Sequence, residues 1–141
     1  MTGSSRLQQV RDWLLSARED LEFAQATTAS LSGQPRHACF SAQQAIEKVL
    51  KAALIFSGVP VAKIHDLDEL RDRLPAGWDV KVSYPAFGLL IEYAVAVRYP
   101  DARLTVTATE ASQAVRDARE VWNSIAADLL KRGFDVSTEL S

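Results

Sequence analysis

The sequence predicts an all-α protein, an antiparallel helical bundle of four long helices plus one short helix. Apolar residues recur in steps of three and four through most of the 141-residue chain, the period of one face of a helix. Most glycines and prolines fall between those stretches rather than inside them, where they act as stops. Alternation of the strand type is confined to Val80 and Val82, and no second run is present to pair with them.

The first helix is expected from about Leu7 to Ser30, with Val10, Leu14, Ala17, Leu21 and Ala24 on one stripe. Ser30, Ser32, Gly33 and Pro35 break it. The second carries Ala38, Ala42, Ala45, Val49, Ala52 and Phe56 in the same rhythm, with Ile46, Leu50, Ala53 and Leu54 widening the apolar face. A stripe so rich in alanine lets a neighbouring helix approach closely, which marks this helix as central. Gly58 stops it and Pro60 prevents continuation. The short helix follows Asp66, an N-cap with Glu69 three residues later, and buries Leu67, Leu70 and Leu74.

The connection "GWDVKVSYP" reads as an ordered loop pinned by Trp78. A fourth helix is expected from about Pro85 to Val97 or Arg98, with Phe87, Leu90, Ile91, Ala94 and Val97 inward. A fifth starts near Thr107 or Thr109 and carries Ala111, Val115, Ala118, Trp122, Ile125 and Leu129. Lys131 and Arg132 suit its negative end, and Gly133 stops it. One domain is expected over residues 1–141, with a core of about 7–132 and a loose tail of about 133–141.

The formal net charge is -2, and 48% of residues are hydrophobic against 24% charged. Those fractions describe a folded globular chain. The charge excludes a global basic field, so any nucleic-acid contact has to come from a local patch. Cys39 stands alone, so no internal disulfide forms, and a reducing, cytoplasmic setting is expected. The first ten residues contain no apolar signal core, and no run approaches the ~20 apolar residues of a membrane span.

Three places could carry chemistry. On the second helix, Gln44, Lys48 and Lys51 share a face at steps of four and three, a candidate basic strip for a phosphate. Glu47 precedes Lys51 by four residues, the favourable order for a helix ion pair, so a solvated face with one salt bridge is the plain alternative. His65, beside the Asp66 cap, is a candidate acid or base that needs a partner within hydrogen-bond reach. In "RYPDAR", Arg98 sits at a helix end where the dipole favours a cation. Pro100 forces Tyr99 toward extended backbone, and Asp101 is placed to pair with Arg98 or Arg103. Two histidines and scattered carboxylates make a poor metal set, and no metal is expected.

The order "WLLSAREDLEFA", "ACFSAQQAIEKVLKAALIFSGV", "HDL" and "RYPD" resembles the HEPN family (higher eukaryotes and prokaryotes nucleotide-binding domain) over about Val10 to Leu130. The resemblance implies an α-helical bundle, often a homodimer, that accompanies a small nucleotidyltransferase protein, in some cases as toxin and antitoxin. It implies a nucleotide or phosphate site formed by Lys48, Lys51, Arg98, Tyr99 and Asp101, supported by Gln44, Glu47, His65 and Asp66. No cofactor is required, though a bound nucleotide or RNA fits the family. Many toxin members are metal-independent RNases with a histidine a few residues after an arginine. Here Arg98 is followed by Tyr99, Pro100, Asp101, Ala102, Arg103 and Leu104, and no histidine follows His65. The resemblance is to a "RYPD" branch without that motif, which implies a binding subunit and assigns no catalytic residue. The alternatives are an endoribonuclease with an atypical site of Arg98, Tyr99 and His65, and a purely structural dimerisation module.

Overall fold

The computed structural model describes residues 3–30, 33–61, 63–84, 86–87 and 106–141. Among them lie three long helices, α1 (Gly3–Ala29), α2 (Pro35–Phe56) and α5 (Ala108–Lys131). Three short ones, α3 (Leu67–Arg73), α4 (Val80–Ser83) and α6 (Val136–Glu139), complete the described helices. No described residue is in a strand, and the fold is all-α. The fourth long helix expected from about Pro85 lies outside the described residues, except for Ala86 and Phe87.

The stripe expected on α1 is the one it buries: Val10, Leu14, Ala17, Leu21 and Ala24. The helix begins at Gly3 rather than near Leu7, because nothing between those residues breaks it. In α2, 14 of 22 residues are buried, so this helix is packed on more than one side. α1 and α5 both lie against it. Lys48 reaches Asp20 while Lys51 reaches Trp13, so α1 and α2 run antiparallel. Pro35 stands in the first turn of α2, where its missing N–H costs nothing. At the other end Gly58 takes φ +77°, a left-handed stop that favours glycine.

Asp66 caps α3 by accepting from the Glu69 N–H at 3.0 Å. α5 opens on a capping box, with Thr107 and Glu110 exchanging side-chain to backbone hydrogen bonds. Its expected stripe is buried except Trp122, which is partly exposed, and Ala114, Val121 and Asp128 are buried as well.

Two expectations are corrected. "GWDVKVSYP" is not simply a loop: Val80–Ser83 form one helical turn, held by Val82 and Ser83 N–H bonds to the Asp79 carbonyl. With no partner strand, these residues satisfy their backbone locally. Trp78 pins the segment as expected, 2% exposed, with the Arg132 guanidinium 4.1 Å above its ring. Asp128, buried on α5, accepts the Asp79 N–H at 2.7 Å. The tail is not loose either. Phe134 is buried and meets Phe56 edge to face at 6.0 Å. Arg11 on α1 ties Glu139 of α6 with a 2.7 Å ion pair. Apolar burial at Phe134 and a side-chain cap at Asp135 supply what the short polar tail sequence does not advertise.

Arg71 is buried and organises the end of α3. Its guanidinium donates to Asp68, Asp72 and the Tyr84 carbonyl and lies over the Phe87 ring at 5.6 Å.

Phe134→Ala is expected to lower stability by roughly 3 kcal/mol in urea denaturation. A free tail would give no change. Thr107→Ala is expected to cost about 1 kcal/mol through the lost cap, read from the same curves.

Candidate functional site

Polar side chains converge where α1 and α2 meet the loop before α3. The geometry starts from Glu47. It is four residues before Lys51, so one turn of α2 puts the two side chains together. Both are almost fully buried, and Lys51 Nζ donates to Glu47 Oε2 at 3.1 Å. The same ammonium lies 5.1 Å from the centroid of the Trp13 ring on α1, a cation–π distance. The expected ion pair thus forms, but in the interior rather than on a solvated face.

Glu47 Oε2 has a second partner. His65 Nδ1 lies 3.2 Å away, while the His65 side chain is 62% exposed. A carboxylate can only accept, so Nδ1 carries the proton that is shared with Glu47. Nε2 is the ring nitrogen that Glu47 does not engage. Glu47 Oε1 is buried and has no hydrogen-bond partner among the described residues, in a place where unmet acceptors are rare.

Lys48 points the other way along α1. Its Nζ pairs with Asp20 at 2.7 Å and donates to Ser16 at 2.8 Å. Gln44 donates to the buried Gln43 at 2.7 Å. The two lysines are therefore not a bare basic strip: two ammonium groups face two carboxylates. Asp66 is occupied by its cap. Arg98, Tyr99 and Asp101 lie outside the described residues.

Sequence reasoning missed Trp13, Ser16 and Asp20. Their signal was present, because they recur at steps of three and four beside the Val10–Ala24 stripe and so share a face. It missed Arg71 and Asp128, whose burial follows from tertiary packing alone. Among the described residues no group of three or more His, Cys, Asp or Glu side chains could hold a metal, and no helix is long and apolar enough to cross a membrane. Cys39 is no nucleophile: burial, then the Glu110 charge, push its pKa up to about 12, and the thiolate is the reactive form.

The family model described as HEPN domain matches residues 10–129. This chain belongs to the HEPN family. Two solved structures resemble it. TT1696 from Thermus thermophilus is 34% identical with a TM-score of 0.72, covering 83% of this chain and 95% of its own. ST0689, an archaeal HEPN homologue, is 25% identical with a TM-score of 0.65, covering 85% and 97%. No curated protein matches the chain. In this HEPN domain the Glu47, Lys51 and His65 cluster joins the central helix to the loop ahead of α3.

Glu47→Gln strands the Lys51 charge in the interior and is expected to cost roughly 3–5 kcal/mol. The double variant Glu47→Gln/Lys51→Met removes both charges and is expected to recover much of that loss, as read by a urea double-mutant cycle. Cys39 supplies a pH test. Its pKa is 9.0 in the unfolded chain and about 12 when folded, so the unfolded state releases the proton first. Its contribution to stability is complete below pH 9 and is lost as pH rises toward 12. Cys39→Ala should flatten that alkaline decline in denaturation curves measured across this window.

Proposed function

We propose that this HEPN domain is a binding subunit that takes a nucleotide or other phosphate-bearing ligand and pairs with a small nucleotidyltransferase, as in a toxin–antitoxin type of two-component system. The observation that carries the ligand half is the buried Glu47–Lys51 pair with the exposed His65 ring held against it. A buried ion pair is a poor way to stabilise a helix bundle, and the exposed His65 ring is oriented by its Nδ1 contact with that pair. Together they make a rigid mount for one donor or acceptor at the surface. Lys48 and Lys51, each matched by a carboxylate, act from behind as positioning groups. The anion contacts then fall to His65 and Arg98, with Tyr99 stacking on a base and Asp101 orienting Arg98. Arginine suits that role because its planar fork meets a phosphate at two oxygens.

One observation favours a second reading. A carboxylate on Nδ1 that leaves Nε2 free is also the arrangement of a general acid or base. An atypical metal-independent endoribonuclease of Arg98, Tyr99 and His65 would use it. That reading ranks second because no histidine follows Arg98.

Isothermal titration of ATP, AMP and a short RNA into wild type and His65→Ala tests both readings. Saturable nucleotide binding that weakens about tenfold in the variant, with RNA left intact, supports the binding subunit. Absence of saturable binding by any of the three sinks the ligand half. RNA cleavage that falls ~10²–10⁴-fold in His65→Ala would make the second reading correct. Capture of a stoichiometric nucleotidyltransferase by wild type but not by Arg98→Ala supports the partner half.

A further inference from the structure

A separate cleft of about 590 Å³ opens where the first turns of α1 meet the end of α2. Its walls are apolar, made of Ile55, Val59, Pro60 and Val61. Two polar side chains line it, Arg6 and Gln9. They are three residues apart on α1, so they share one face. Among the described residues neither makes a hydrogen bond or an ion pair. Arg6 stands at the negative end of α2, where the helix dipole favours a cation. Gly58 lies beside it: a Cβ at that position would make an ordinary 3.5 Å contact with Arg6 Nη1. The dipole thus favours a guanidinium at this place, and its donors have no partner among the described residues.

We propose that this cleft binds a small amphipathic carboxylic acid, with its apolar body against Val59 and Val61 and its carboxylate on Arg6. The chemistry selects that class. Four apolar walls recognise a hydrocarbon or aryl body. An unpaired guanidinium matches one carboxylate through two parallel hydrogen bonds. Gln9 supplies one further donor. The volume suits a small molecule, since such sites measure roughly 300–1,000 Å³. Glu47, Lys51 and His65 do not line the cleft, and the proposal does not rest on the nucleotide reading.

Octanoate serves as the probe, titrated calorimetrically into the full chain beside octan-1-ol, with circular dichroism as the check on folding. The expected result is one saturable octanoate site, weakened about ten- to a hundredfold in Arg6→Ala by loss of the charged hydrogen bonds. Octan-1-ol is expected to bind less tightly than octanoate by a similar factor. Val61→Trp fills the cleft and is expected to abolish octanoate binding in a folded protein. The proposal is overturned if octanoate shows no saturable binding, if Arg6→Ala leaves its affinity unchanged, or if the alcohol binds as tightly as the acid.

Discussion

The structure depends on the short side chains of α2. Ala38, Ala42, Ala45, Ala52 and Ala53 are all buried, and none projects more than one carbon from the backbone. A helix with such a surface can be approached closely by its neighbours, and α1 and α5 both pack on it. Close approach has a second effect. It carries the polar edge of α2 below the surface, so that Gln43, Glu47 and Lys51 become interior residues. Had those positions faced larger apolar side chains, the helices would stand further apart and the same charges would be hydrated. The interior polar cluster thus follows from packing geometry, and its members then have to satisfy one another.

Glu47 illustrates how little slack that leaves. One carboxylate oxygen serves an ammonium from its own helix and an imidazole from a loop. Trp13 covers the ammonium from α1. Three segments of the chain thus meet around one ion pair. The orientation of His65 is set by that anion rather than by its own loop, and this distinguishes it from His37, an exposed residue at the start of α2.

Much of the fold was legible in the sequence because long helices write their period plainly. The five buried positions of α1 and most of those on α5 were readable from spacing alone. The Asp66 cap and the glycine stop after α2 were readable from local chemistry. What spacing could not give was depth. Lys51 and a solvated lysine have the same place on a helical wheel; only the neighbouring helix decides between them. The one-turn α4 and the docked tail were missed for a related reason. Segments of four residues carry too few positions for a period, and their order comes from contacts such as Asp128 with Asp79 and Phe56 with Phe134. The site was half legible: Glu47, Lys48, Lys51 and His65 were picked out, while their α1 partners were not.

Arg71 has a consequence for how the chain can vary in length. Its guanidinium is joined at once to α3 and to the Tyr84 carbonyl, and Asp68 also accepts the Phe87 N–H. Trp78 and Asp79 fix a second point against α5. Between α3 and Trp78, Pro75, Ala76 and Gly77 form an exposed tip. Extra residues placed at this tip would bulge into solvent and leave both anchor points in register, as exposed loop tips allow. The same insertion between Asp79 and Phe87 would pull one anchor away from the other. Room for extra residues in this region thus lies at one tripeptide, directed outward, while the spacing from Trp78 to Phe87 is held at both ends.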